Sequence, residues 1–287
     1  MNSPTVWSLL SRRRAGLVVP VLASCLGLVL AGCNHGISTP RVVYLDGAGW
    51  FGSSRAVSSG LRTAGYRGAF ETFTWTTFLG APADHFVAAR SAIPAARLAR
   101  RLTTLRRANP KGKIYLIGLS AGTAVVVKGL EALPDGIEVD QVVLLSSSVS
   151  ARHDLADALK HVRGRLYATC SLGDLILAAM GVSSDGKVGR AGGRAGFVLP
   201  KRHTPAIREQ YAKMVNLPWR PGYVAFGWNG GHVRVTRAEF IQRVIAPRIL
   251  SDQPYPLDRP LVALEPSPPP AASADLPATT TESTSGP

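Results

Sequence analysis

The most constraining feature of this 287-residue chain is an apolar run that stops at a turn flanked by glycines. Residues 114–119 read as a buried strand, residues 118–122 (Gly-Leu-Ser-Ala-Gly) as a sharp turn, and the Ala- and Val-rich residues that follow as a helix. So tight a turn predicts a strained backbone at Ser120, and a Cβ at Gly118 or Gly122 is expected to collide with a neighbouring strand or helix.

Strand and helix patterns alternate along the rest of the chain. Strands are predicted at residues 41–45, 69–75, 114–119, 139–145, 165–170 and 223–228, and helices at 53–65, 93–105, after 122, 155–162 and 236–249. This order predicts an α/β fold, a three-layer sandwich with a reduced, mostly parallel sheet of about six strands. Residues 181–198 contain six glycines and are expected to form a flexible surface excursion near the edge of the sheet that would carry an active site.

The N-terminus is predicted to be an export signal. A positive cluster at residues 12–14 precedes an apolar run from 17 to 30, which is too short for a convincing transmembrane helix. The sequence Leu-Ala-Gly-Cys at residues 30–33 resembles the lipobox of bacterial lipoproteins. The resemblance implies that Cys33 is lipidated and that the protein is exported and anchored to a bacterial membrane. An ordinary signal peptide or anchor with an incidental cysteine is the alternative.

These segments divide the chain into four parts. Residues 1–32 are the predicted lipoprotein signal peptide, 33–40 a tether, and 41–250 one folded domain. Proline, alanine, serine and threonine dominate residues 251–287, which are expected to form a disordered tail.

Composition narrows the chemistry and the partners. Cys170 is the one cysteine in the predicted domain, and without Cys-x-x-Cys or clustered histidines no disulfide, metal site or cofactor is expected there. The net charge is +15, and many of the basic residues fall between 97 and 113. No aromatic interleaving or nucleic-acid motif accompanies them, so we expect a solvated face or contact with an anionic membrane surface, and no nucleic-acid binding.

A serine nucleophile at Ser120 needs a base and an acid. Of the six histidines, only His232 follows a predicted core strand within a Gly-rich loop, and it is the predicted base. Asp174, shortly after another strand, is the predicted acid, with Asp154 as the alternative. A helix N-cap is the competing interpretation of Asp174.

These motifs together resemble the α/β-hydrolase family, and in particular small bacterial serine hydrolases or esterases. The match covers residues 41–250 and depends on the motifs at 118–122, 171–174 and 230–232. It implies the order Ser120, Asp174, His232 for a catalytic triad. It also implies an oxyanion hole made by the backbone N–H of Ala121 and a second N–H from the loop after the first strand.

That second donor is assigned to Ala48, with Gly49 or Trp50 beside it as alternatives. The family's usual first two strands have no room before residue 41, and a well-formed lid is absent unless residues 181–203 serve as one. Trp50, Trp75 and Phe78 are interpreted either as the lining of an acyl pocket or as core aromatics.

The resulting functional hypothesis is hydrolysis of a carboxylic ester, from a small molecule or a lipid, through an acyl-enzyme in the cell envelope. Thioester hydrolysis or acyl transfer by the same residues remains open, because pocket shape selects the acceptor. A hydrolase-fold lipoprotein that binds a ligand or partner without catalysis is the alternative from another class.

Overall fold

A computed structural model describes residues 39–49, 52–77, 79–90, 92–180, 183–185, 187 and 189–263. Six parallel strands form one sheet in the order β2-β1-β3-β4-β5-β6. The strands are β1 (Arg41–Leu45), β2 (Ala69–Thr72), β3 (Ile114–Leu119), β4 (Gln141–Leu145), β5 (Leu166–Cys170) and β6 (Met214–Pro218). Cys33, Trp50 and Phe78 lie outside the described residues.

Helices follow or precede almost every strand. They are α1 (Ser53–Thr63), α2 (Ala81–Arg90), α3 (Ile93–Ala108), α4 (Gly122–Glu131), α5 (Ala156–Lys160), α6 (Leu175–Ala179), α7 (Gly192–Ala195), α8 (Pro205–Tyr211), α9 (Ala238–Phe240) and α10 (Ala246–Ile249). A π-helical segment, Ile241–Ile245, joins α9 to α10, so the three form one C-terminal helix. Within the described ranges, no helix is long and apolar enough to cross a membrane.

Alternation along the strands gives the protein two cores. Val43 and Leu116 point to the face covered by α3, α4, α5 and α8, whereas Val42 and Ile117 point to the face covered by α1 and the C-terminal helix. Buried strands between two helical layers need apolar residues on both faces, which explains their near-continuous hydrophobic runs. The predicted three-layer α/β sandwich with a parallel sheet of about six strands is confirmed.

The last strand lies earlier in the chain than predicted. Residues 214–218 form β6, whereas Pro221–Phe226 is a 3-10 helix, so the prediction of a strand at 223–228 was wrong. The apolar residues there pack as an aromatic cluster, in which Tyr223 and Trp228 lie against Phe240 of the C-terminal helix with ring centroids 5.3 and 4.7 Å away. Their hydrophobicity therefore reflects this packing and not a place in the sheet.

The glycine-rich stretch is packed where the structure describes it. Gly193 donates its N–H to the Ser147 carbonyl at 2.8 Å and accepts from the Ser171 N–H at 2.9 Å, and Phe197 is 1% exposed. A Cβ at Gly193 would lie 2.3 Å from the Ser146 carbonyl carbon. The expectation of a surface excursion was therefore wrong for these residues, since glycine here permits close approach to the ends of β4 and β5.

The packed part of the chain also continues past residue 250. The Leu261 N–H bonds to the Met214 carbonyl at 2.7 Å, beside the otherwise open edge of β6, and Val262 is buried. Arg248 pairs with Asp258 at 2.8 Å. Residues 251–263 therefore do not fit the expected disordered tail, and residues 264–287 lie outside the described ranges.

His153 connects the glycine-rich stretch to a helix through two hydrogen bonds. His153 lies between Asp185, at 3.0 Å from Nδ1, and Glu131 of α4, at 2.7 Å from Nε2. Burial by itself lowers the pKa of His153, but its hydrogen bonds to Asp185 and Glu131 outweigh that effect and raise the pKa to about 9. The imidazolium is thus the form that the fold stabilises near neutral pH.

We expect the free energy of unfolding to fall as the pH rises from about 6.5 to about 9. The folded-state pKa of His153 is raised, so its contribution is complete below the unfolded-state value near 6.5 and is lost through the folded-state value. The loss should be on the order of 2–3 kcal/mol, measured by urea denaturation across this range. His153→Gln should flatten the profile, and His203→Gln, at an exposed histidine, should leave it unchanged. An equal slope in all three proteins would contradict this assignment.

A buried ion pair fixes the opposite edge of the sheet, where strands begin. Arg106 of α3 is 4% exposed, and its Nη2 lies 2.8 Å from Oδ2 of Asp140. The same guanidinium donates to the carbonyls of Glu138 and Gly112, and Asp140 also accepts the Ile114 N–H at the start of β3. Although Arg106 belongs to the basic stretch expected to be a solvated face, it is an internal connection between α3, β3 and β4.

Replacing Arg106 by methionine should lower the free energy of unfolding by about 3–5 kcal/mol, because Asp140 would stay buried with only the longer contacts of Lys113 and Arg163, at 3.9 and 4.0 Å. Arg107→Met, at the adjacent exposed arginine, provides the matched control and should change stability by less than about 0.5 kcal/mol. Denaturant titration of both variants measures the difference. Similar losses in the two would show that charge alone matters.

Candidate active site

The turn between β3 and α4 holds Ser120 in a strained conformation. Its φ is +51°, its side chain is almost fully buried, and its N–H bonds to the Leu145 carbonyl at 2.9 Å. A Cβ at Gly118 would lie 2.9 Å from Val126 of α4, and one at Gly122 would lie 2.5 Å from the Asp46 carbonyl oxygen. The prediction that both positions require glycine is confirmed.

Three predicted residues from distant parts of the chain meet at this turn. His232 Nε2 lies 2.8 Å from Ser120 Oγ, and His232 Nδ1 lies 2.7 Å from Asp174 Oδ2. His232, Ser120 and Asp174 are 4%, 6% and 0% exposed, respectively. A carboxylate facing Nδ1 requires the proton there, which leaves Nε2 to accept the serine hydroxyl proton. The geometry is that of a nucleophile, base and acid, and their catalytic role stays a prediction.

Asp174 has both of the roles that the sequence suggested as alternatives. It follows β5 through a short turn, and its Oδ1 accepts the Leu177 N–H at 3.0 Å as the N-cap of α6, while Oδ2 faces His232. The alternative acid, Asp154, lies elsewhere. Its carboxylate accepts the Ala156 N–H at 3.0 Å and faces the Tyr211 hydroxyl at 3.4 Å.

The loop that carries His232 is anchored by a buried tryptophan. Trp228 is 0% exposed, and its Nε1 donates to the Gly231 carbonyl at 3.1 Å, one residue before the histidine. The Trp228 carbonyl in turn accepts from Trp219 Nε1 at 3.0 Å. Gly230 has φ +86° and approaches Ser171 so closely that a Cβ would lie 2.8 Å from its Oγ. Sequence reasoning found His232 but missed Trp228, whose position just before a Gly-Gly-His sequence was the available signal.

Two backbone N–H groups remain as candidate oxyanion donors. Ala121 is the N-cap of α4, at the positive end of the helix, and Ala48 lies in the loop after β1. No described residue accepts a hydrogen bond from either N–H. Gly47 and Gly49, on either side of Ala48, donate to the carboxylates of Asp46 and Asp84. The alternative donor Gly49 is therefore occupied.

Asp84 of α2 is a structural residue of this site that the sequence did not reveal. It is 0% exposed, and its Oδ2 accepts the Gly49 N–H at 3.1 Å while Oδ1 accepts the N–H and hydroxyl of Thr77 at 2.6 and 2.7 Å. A Gly-Ala-Pro-Ala-Asp sequence, with proline in the first turn of a helix, was the available signal. The loop that we expected at 76–84 thus ends as the first turn of α2.

Trp75 and Asp46 complete the support of the loop after β1. Trp75 is buried, and its Nε1 donates to the Asp46 carbonyl at 2.8 Å, which favours the interpretation as a core aromatic. The Asp46 carboxylate accepts from the Gly47 N–H at 2.9 Å and from the hydroxyl of Ser53. Burial raises the pKa of this carboxyl above its usual range. Within the described ranges, no cluster of His, Cys, Asp and Glu is arranged to hold a metal.

Comparison with known proteins adds little beyond these contacts. No family model matches the sequence, and no curated protein matches it either. Among solved structures, a Trichoderma reesei cutinase with a phosphonate inhibitor is 18% identical, with a TM-score of 0.40 over 57% of this chain and 81% of that chain. The poly(3-hydroxybutyrate) depolymerase of Bordetella parapertussis is 14% identical, with a TM-score of 0.43 over 74% and 78%.

A Pyrococcus furiosus esterase is likewise 14% identical, with a TM-score of 0.42 over 72% of this chain and 81% of that chain. These sequence identities and TM-scores are too low to assign a function, so the proposed function depends on the contacts of Ser120, His232 and Asp174 themselves.

Asp84→Asn should lower the free energy of unfolding by about 1–3 kcal/mol, because an amide N–H₂ would face a buried backbone or hydroxyl donor. Denaturant titration measures the loss. Asp157→Asn, at a side chain 72% exposed, removes the same charge and should change stability by less than about 0.5 kcal/mol. If Asp84→Asn is as stable as the unmodified chain, the carboxylate does not hold the loop.

Proposed function

We propose that this protein is a serine hydrolase of the α/β-hydrolase type that cleaves carboxylic esters through an acyl-enzyme. The observation that supports it is the continuous contact from Ser120 Oγ to His232 Nε2 at 2.8 Å and from His232 Nδ1 to Asp174 Oδ2 at 2.7 Å. Because these contacts start at a serine held at φ +51° next to a helix N-terminus, they favour a nucleophile over a merely structural hydroxyl.

In the first step, Ser120 Oγ attacks the ester carbonyl carbon while His232 Nε2 removes the hydroxyl proton. The imidazolium that forms is stabilised by the Asp174 carboxylate, whose second oxygen is fixed by the Leu177 N–H. Since Asp174 is fully buried, its charge is poorly screened by water and acts strongly on His232.

The negative charge on the carbonyl oxygen is stabilised by backbone N–H groups of Ala121 and Ala48. Ala121 adds the positive end of α4, and Ala48 belongs to the loop whose neighbouring N–H groups are already held by carboxylates. Collapse of the tetrahedral intermediate breaks the bond to the leaving alcohol, which receives the proton from His232. Water, activated by the same histidine, then releases the acid and restores Ser120.

We also propose that the enzyme is exported and lipid-anchored at Cys33, and that it acts on small-molecule or lipid esters in the cell envelope. The support is the sequence itself, in which arginines, an apolar run and Leu-Ala-Gly-Cys follow in that order up to residue 33. A tether of residues 33–40 would keep the domain close to the membrane surface.

A fluorophosphonate probe should label the full-length protein, and Ser120→Ala and His232→Ala should both abolish labelling. Both substitutions should lower kcat for a short-chain ester by about 10³-fold or more, because nucleophile and base act as a unit. Asp174→Asn should lower kcat by about 10²–10⁴-fold with little change in KM, since it alters the orientation of His232 and not substrate contact. Ester turnover and labelling are measured on the same preparations.

Ser59→Ala and His203→Ala, at exposed positions, are the matched controls and should retain labelling and turnover. A folded wild-type protein that neither reacts with the probe nor hydrolyses esters would refute the proposal and would favour a binding protein. Ester turnover that survives in Ser120→Ala would show that Ser120 is not the nucleophile.

A further inference from the structure

A cavity of about 380 Å³ is lined in part by residues that adjoin the proposed catalytic groups in the chain. Its described lining is Gly49, Ser53, Ala56, Val233, Arg234, Thr236 and Arg237. Gly49 adjoins the proposed oxyanion donor Ala48, and Val233 adjoins His232. The space is of the size that binds part of a small ligand. The cavity therefore lies where the loop after β1 meets the segment that follows His232.

The cavity is lined by two arginines that have no acidic partner among the described residues. Arg234 and Arg237 are both exposed, and no described carboxylate lies within 4.0 Å of either guanidinium. Glu239 is the nearest acid along the chain. The stem of Arg237 is held against Gly227, where a Cβ would lie 3.1 Å from its Cγ.

The opposite wall of the cavity adds no compensating negative charge. Ser53 and Ala56 belong to the first turns of the 11-residue helix α1, which has no acidic residue in its first turn and presents its positive end here. Two carboxylates bond to lining residues, Asp46 to Ser53 and Asp84 to Gly49, but they are only 9% and 0% exposed and each is occupied by further hydrogen-bond donors. The charge that the cavity presents is therefore positive.

We propose that this cavity is a subsite for an anionic oxygen group of the substrate, so that the preferred esters carry a carboxylate or phosphate a few atoms from the scissile bond. Guanidinium groups bind such oxygens through paired N–H donors, and a concave site strengthens the attraction relative to open solvent. The inference rests on the proposed ester hydrolase function and adds the substrate class to it. The anionic group can belong to the acyl or to the alcohol part of the ester.

The test compares esters that differ only in a carboxylate and a methyl group. On the acyl side, mono-para-nitrophenyl adipate is compared with para-nitrophenyl hexanoate, and on the alcohol side para-acetoxybenzoate is compared with para-tolyl acetate. The measured quantity is the ratio of kcat/KM for the charged and the neutral member of each pair, using the full-length protein. In at least one pair we expect the ratio to exceed one and to fall as salt is raised, since screening weakens exposed charges.

Arg234→Gln and Arg237→Gln should each lower that ratio by about three- to fivefold, the size expected for a partly exposed charge contact. Arg243→Gln is the matched control, because Arg243 is exposed on the C-terminal helix and lines a different cavity. It should leave the ratio unchanged. Thermal unfolding of each variant verifies that it is folded.

In one outcome, the neutral esters are hydrolysed while the kcat/KM ratio does not exceed one and is the same in Arg234→Gln and Arg237→Gln. That result would overturn the anionic subsite and leave the proposed function intact. An equal loss in Arg243→Gln would do the same, because it would indicate a general effect of net charge. Failure to hydrolyse any of the four esters would overturn the proposed function and this inference with it.

Discussion

The close approach of Gly122 to the end of β1 is the contact on which the site depends. A Cβ there would lie 2.5 Å from the Asp46 carbonyl oxygen and 3.0 Å from that of Leu45. This approach places the N-terminus of α4 against the loop after β1 at one point, and the two candidate oxyanion donors, Ala121 and Ala48, belong to these two segments. The chain leaves β1 towards β2 and then returns to β3 on the other side, so the same point is where the strand order reverses and a crevice opens.

Buried carboxylates hold the parts of the fold that the sheet itself does not fix. Asp84 secures the loop after β1, Asp174 joins the start of α6 to His232, and Asp140 joins α3 to two strands at the opposite edge. In each case two or more donors bond to the carboxylate, so that hydrogen bonds offset the cost of burying its charge. Asp84 and Asp174 thus support the surroundings of Ser120 from outside the β3–α4 turn.

Local patterns were sufficient for the features that depend on local geometry. The turn around Ser120, the order of Asp174 and His232 and the alternation of five of the six strands were all predictable, because glycine spacing and apolar runs record them directly. Features set by distant contacts were not. β6 has the polar Asn216 in its middle and ends in proline, so it has no continuous apolar run. Gly193 is buried because Ser146 and Ser147 pack on it, and Arg106 resembles the other arginines of a basic helix until Asp140 is found opposite it.

The proposed proton relay is held by two separate parts of the molecule. Ser120 is fixed by the central strands β3 and β4, whereas His232 depends on Trp228, which stacks on Tyr223 and meets Phe240 edge-on beyond the edge strand. Thermal loosening of that aromatic cluster would therefore separate base from nucleophile while the sheet is still intact. The proposed base would then leave the nucleophile below the temperature of global unfolding and return on cooling, and the aromatic cluster would set the temperature at which this arrangement is lost.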